Sequence, residues 1–198
     1  MTANAAESEL KDRLNLIESM IAEGRRTTES WGWAFVLWGL AYYVAIFWTG
    51  LGHFPWAWPI TMVSACALTV VLAARKGGSR PGTVKSRAIA STWIAMGISM
   101  LLLFPALGIS GRIDQHIMIA VASAMLGTTN AASSLILKWK MQFACALVWW
   151  ATAVFACFGR SEPLTIVFLA AIFFCQIVFG VYGMIAEARV RRQGATNA

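Results

Sequence analysis

Residues 31–51 read WGWAFVLWGLAYYVAIFWTGL, with no charged side chain from Trp31 to Leu51. An α-helix needs about 20 apolar residues to cross about 30 Å of hydrocarbon, so this stretch has the length and character of one membrane span. Five further uncharged runs follow, at Trp56–Ala74, Ala88–Ile109, Ile117–Leu137, Met141–Phe158 and Pro163–Ala186. They are continuous rather than alternating, which argues for helices over the ~10-residue alternating strands of a barrel. The expected fold is all-α: an integral membrane bundle of six transmembrane helices preceded by a cytoplasmic amphipathic helix. The composition agrees. Of 198 residues, 59% are apolar and 13% are charged, about half the share of charged residues in a soluble domain. That excludes a disordered chain, a collagen-like repeat and a disulfide-rich secreted scaffold, and leaves too little polar surface to clothe a soluble enzyme.

The charges that remain mark the gaps between runs. Lys and Arg cluster before the first run, between the second and third (Arg75 to Arg87), between the fourth and fifth (Lys138, Lys140) and in the tail (Arg189, Arg191, Arg192). The alternate gaps hold only Arg112 and Arg160. The positive-inside rule then predicts both termini in the cytoplasm, and an odd number of helices would break the alternation. Residues 1–30 are polar, so Trp31–Leu51 is expected to act as an uncleaved anchor. Seven Trp (Trp31, Trp33, Trp48, Trp56, Trp58, Trp93, Trp139) lie near run ends, where interfacial aromatic belts sit. Pro59 and Pro105 are expected to bend the second and third helices. The chain divides into an N-terminal helix and linker (1–30), the six-helix domain (31–186) and a basic tail (187–198).

In the N-terminal segment, Leu10, Leu14, Ile17 and Ile21 recur at helical spacing and form one apolar stripe. Asn4 with Glu7 reads as a capping box, and Gly24 as a stop. The helix is acidic on balance, whereas helices that lie on anionic lipid are rich in Lys and Arg. The stripe is therefore expected to meet protein: the chain's own loops, a second copy or a cytoplasmic factor. The basic 75–87 loop is explained by orientation and headgroup attraction. The net charge of +7 comes with no recognition motif, so nucleic acid is not an expected partner.

No Asp, Glu, Lys, Arg or His lies deep within any run, which argues against a proton-driven pump. The most polar run is the fourth, Ser123-Ala-Met-Leu-Gly-Thr-Thr-Asn-Ala-Ala-Ser-Ser134. Ala120, Ala124, Gly127, Ala131 and Ser134 share one stripe, flanked by Ser123 and Asn130, and small residues let helices approach closely. The sixth run offers Cys175, Gln176, Gly180 and Gly183. Asn130 and Gln176 fall at similar depth, and the fourth and sixth helices are predicted to meet through them. Ser123, Asn130, Ser134 and Gln176 are thus the candidates for either interhelical bonding or a polar ligand. Trp38, Tyr42, Tyr43, Trp149 and Trp150 lie away from run ends and are candidates for lining an interior.

The four cysteines all fall within runs and read as buried small hydrophobes. His53, Asp114 and His116 are too few and too scattered for a zinc site, and no cofactor or catalytic fingerprint occurs. No cofactor, metal or catalytic residue is assigned. The stretches Leu16-Ile-Glu-Ser-Met-Ile-Ala-Glu-Gly-Arg-Arg26 and Trp31-Gly-Trp-Ala-Phe-Val-Leu-Trp-Gly39 resemble the start of a group of uncharacterised bacterial multi-span membrane proteins. That resemblance implies a bacterial cytoplasmic membrane and carries no activity. The leading functional expectation is a non-enzymatic regulatory or assembly protein acting through the stripe of Leu10, Leu14, Ile17 and Ile21. The alternatives are a small transporter or channel for an uncharged solute, and a membrane-embedded enzyme acting on lipid with His53, Asp114 and His116 as its acid–base set.

Overall fold

The computed structural model describes residues 9, 11, 13, 31–52, 56–75, 84–112 and 114–196. Every regular element among them is helical. We label them α1 (Gly32–Gly52), α2 (Ala57–Arg75), α3 (Val84–Ile109), α4 (Gln115–Leu137), α5 (Lys140–Phe158), α6 (Ser161–Ile172), a π-helical turn (Phe173–Val178) and α7 (Phe179–Thr196). The last three form one unbroken rod, giving six helices long and apolar enough to cross a membrane. Glu9, Lys11 and Arg13 are helical, with an Arg13–Glu9 ion pair one turn apart. The predicted stripe of Leu10, Leu14, Ile17 and Ile21, with Asn4, Glu7 and Gly24, lies outside the described residues, as does His53.

Local signals set the ends of the helices. Asp114 caps α4, its Oδ1 accepting the Ile117 N–H at 2.8 Å, which meets one of the orphan donors of the first turn. Lys138 closes α4 in the left-handed region at φ 51°, and the N–H of Trp139 returns to the Ser134 carbonyl at 3.0 Å. The chain thus reverses into α5 over two residues. Pro59 is the third residue of α2, where no intrahelical N–H is lost, so the expected bend there has no basis. Pro105 lies inside α3.

The rod's π turn also has a local cause. The Tyr43 hydroxyl, from α1, donates to the Leu169 carbonyl at 2.9 Å, and the Phe173 N–H, which would otherwise bond that carbonyl alone, divides between it and the Ala170 carbonyl. One turn later the Phe179 N–H reaches back five residues to the Phe174 carbonyl. Inserting a side chain into the helical ladder is a recognised way to disrupt it.

The centre of the bundle is the α4–α5 hairpin. The α6–α7 rod packs on it and α1 packs against the rod. Helices α1 and α7 cross on glycine: a Cβ placed on Gly32 would stand 2.6 Å from the Gly180 carbonyl oxygen, so only backbone fits there. Tyr42, Trp149 and Phe168 join three helices in edge-to-face contacts with centroids 6.1–6.2 Å apart. Helix α2 makes close backbone contact with α1 alone, and α3 with α4 alone. One of the Trp expected at an interfacial belt is instead internal, and another is half-buried. Trp139 is buried against Phe179 and Tyr182, because the left-handed Lys138 turns it inward. Trp93 packs edge-on to Phe35 at 5.1 Å. Trp31, Trp48 and Trp56 are exposed.

Candidate functional site

Among the described residues nine polar side chains are buried, and seven of them lie on the hairpin: Ser123, Thr129, Asn130, Ser133 and Ser134 on α4, and Gln142 and Thr152 on α5. The buried line of α4 runs Ile119, Ser123, Leu126, Asn130, Ser133 and Leu137, spaced at three and four. This is about one residue round from the stripe expected at Gly127, and Ala124 is exposed. On α5 the matching line is Gln142, Ala146, Trp149 and Ala156. The spacing of both lines keeps one face of each helix turned to its partner.

Most of the hydroxyls are met within their own helix. Thr129 donates to Met125 O at 2.9 Å, Thr152 to Val148 O at 2.8 Å and Ser134 to Ala131 O at 2.7 Å. Ser133 accepts the Trp93 indole N–H at 3.1 Å, a bond from α3 to α4. Asn130 spends its Nδ2 on the Leu126 carbonyl at 2.8 Å. That leaves Ser123 Oγ, Asn130 Oδ1, both amide atoms of Gln142 and Trp149 Nε1 without a partner, all fully buried. The hairpin therefore presents two donors of fixed identity (Gln142 Nε2, Trp149 Nε1), two acceptors (Asn130 Oδ1, Gln142 Oε1) and one hydroxyl, with no formal charge among them.

The four sequence candidates are all buried, but they are not brought together. Gln176 sits in the π turn with its Cβ 3.0 Å from the position of a Cβ on Gly39 of α1. That turn touches α1 and α5 and has no close approach to α4, and no hydrogen bond joins Gln176 to Asn130. The two-residue turn at Lys138 gives the polar face of α4 to α5, leaving the sixth span to pack on the other side. Of the five candidate lining aromatics, Tyr42 and Trp149 are buried, Tyr43 is engaged with Leu169, Trp38 is half-buried, and Trp150 lies over Gly127.

Gln142 was missed by reading the sequence. It follows Lys140 at a run end and reads as an interface residue. The signal that finds it is the helical period of Gln142, Ala146, Trp149 and Ala156, which sets the one amide of α5 on the same face as Trp149. Cys145 and Cys175 come together across α5 and the π turn, the Cys175 thiol lying 3.8 Å from the Cys145 carbonyl oxygen. Among the described residues no three metal-ligating side chains cluster.

The chain matches no protein-family model, no curated protein and no solved structure. Its site is read from its own chemistry.

Proposed function

We propose that this is a multi-pass protein of the bacterial cytoplasmic membrane, with both termini cytoplasmic, that admits a small uncharged polar solute to the seam between α4 and α5. One observation carries the reading: five buried polar atoms on facing lines of one hairpin, neither charged nor hydrogen-bonded. A buried donor or acceptor left unmet costs about 1–3 kcal/mol, and native interiors meet such groups with water or a bound polar molecule. The absence of ionisable groups from the seam argues for a neutral solute. The seam's mixed donors and acceptors suit a molecule that carries both, such as an amide or a polyol.

The test is swelling of liposomes that hold the purified protein, driven by urea and by glycerol gradients. Wild type should swell faster than empty vesicles, with Asn130→Leu and Gln142→Leu falling back to the empty rate and Gly97→Leu, on the exposed helix α3, unchanged. Equal swelling by all three variants would falsify the reading. So would a C-terminal reporter active only outside the cytoplasm.

A second reading, a regulatory or assembly role through the N-terminal helix, is favoured by the helical state of Glu9, Lys11 and Arg13. It predicts that deleting residues 1–24 changes complex size in detergent, whether the partner is a second copy or another protein.

A further inference from the structure

At the end of the bundle opposite the Lys138 turn, three helix termini converge. The His116 ring, in the first turn of α4, lies with Nδ1 2.9 Å from the Ala156 carbonyl oxygen and Nε2 3.0 Å from Ser161 Oγ. A carbonyl oxygen can only accept, so Nδ1 carries the proton and Nε2 holds the free lone pair. In that tautomer the Ser161 hydroxyl donates to Nε2. The arrangement is a nucleophile, a base and an orienting group in sequence, with the backbone carbonyl of Ala156 in the place a carboxylate takes elsewhere.

The surroundings favour the charges that an acyl transfer would create. Ala156 belongs to the last turn of α5, whose negative dipole end stabilises an imidazolium. Ser161 is the first residue of α6, whose positive end stabilises an oxyanion. The first backbone bond of α6 runs from Leu164 N to Arg160 O at 3.1 Å, and Pro163 has no N–H. The N–H groups of Ser161 and Glu162 are therefore the two donors at that terminus outside the helical ladder. Ser161 is exposed and His116 half-buried, so substrate can reach both. Asp114 is occupied in capping Ile117. Gln115 donates to Thr165 Oγ1, a second tie between α4 and α6 that holds the frame without His116.

We propose that Ser161 and His116 form a nucleophile–base pair that cleaves carboxylic esters at this end of the bundle. Ser161 Oγ attacks the ester carbonyl carbon while His116 Nε2 takes the hydroxyl proton. The tetrahedral oxyanion collapses, the bond to the alkoxy oxygen breaks, and His116 returns the proton to the departing alcohol. Water then attacks the Ser161 acyl ester, giving its proton to His116, which passes it back to Ser161 Oγ as the acid leaves. The ester is either a lipid acyl chain or a small soluble ester, and the chemistry is common to both.

The test uses the full chain in detergent micelles with a fluorophosphonate probe, which labels an activated serine. Wild type should label at Ser161. Ser161→Ala should lose the label, and His116→Gln, which retains hydrogen-bonding capacity without a base, should slow labelling by about 10²–10⁴-fold. Unchanged thermal unfolding of His116→Gln certifies the fold, and if that variant unfolds, the Ser161→Ala arm decides. A folded wild type that does not label, or label retained by Ser161→Ala, overturns the proposal; label retained by folded His116→Gln overturns the base. Release of fatty acid from phospholipid vesicles against turnover of p-nitrophenyl butyrate separates the two ester sources. Because Asn130 and Gln142 take no part, their Leu variants should label like wild type whatever the swelling assay finds.

Discussion

Helices α3 and α4 are consecutive in the chain and each offers 23 residues to a span, yet they occupy the bundle oppositely. None of the most apolar stretch of α3 is buried, whereas 56% of that of α4 is. Ile94, Ile98, Leu101 and Leu102 of α3 face outward, while Ser123, Asn130 and Ser133 of α4 face inward. In water the order would be reversed, because burial follows apolar area. When the solvent is itself hydrocarbon, the apolar helix loses nothing at the periphery. Polar and small residues then gather at the centre, where they can find partners and pack closely. The contrast is the strongest structural support for lipid as the surrounding medium.

Glycine gives the largest break in that comparison. Gly32 of α1 and Gly180 of α7 meet backbone to backbone, and a Cβ on Gly180 would stand 2.7 Å from the Gly32 carbonyl oxygen. Gly97 and Gly108 of α3 have nothing within 4 Å. Gly32→Leu should therefore cost about 3 kcal/mol through forced separation of the helices, or about 6–12 °C of melting temperature for a chain of this size. Gly97→Leu should stay within about 0.5 kcal/mol. Circular dichroism melts in one detergent compare the two directly, and equal losses would mean that α3 is as enclosed as α1.

The next effect runs against the usual sign. Replacing a buried polar group normally destabilises, but both amide atoms of Gln142 lack partners, and an apolar side chain of similar size removes that cost. Gln142→Leu in solute-free detergent should be more stable than wild type by about 1–3 kcal/mol while losing solute passage, a trade of stability for function. A destabilised Gln142→Leu would show that the amide is already met in the folded protein.

How far the sequence disclosed this contrast depends on which physical signal carried each part. The helix ends were legible because charged and turn-forming residues punctuate the chain: Trp31–Leu51 was expected and Gly32–Gly52 is found, Ile117–Leu137 against Gln115–Leu137. The burial of Ser123, Asn130, Ser134 and Gln176 followed from their polarity. Their partners did not, because depth along a helix says nothing about which neighbour it faces. That was decided by the two-residue turn at Lys138, which paired α4 with α5 and left Gln176 against Gly39. Trp139 misled for the same reason, since a tryptophan at a run end serves either an interface or a core, and the left-handed residue before it settles which. Ser161 gave no signal at all, lying 45 residues from His116.

The smallest effect tests how the exposed helix is held to the buried one. Trp93 Nε1 to Ser133 Oγ, at 3.1 Å, is a side-chain hydrogen bond between α3 and α4, and the same indole packs on Phe35. Trp93→Phe keeps a ring against Phe35 and deletes the N–H, while Ser133→Ala deletes the acceptor. Each change alone removes the bond along with some packing, so only their coupling isolates it. In a hydrocarbon medium such bonds average about 0.6 kcal/mol and reach about 1.7, because the separated helices also find partners. We expect a double-mutant cycle on unfolding free energy to give a coupling near the lower figure, with α3 held chiefly by packing. A value at the upper end would make the indole the main tie. The periphery would then be fixed by the same polar logic that orders the centre, and the difference between α3 and α4 would be one of degree.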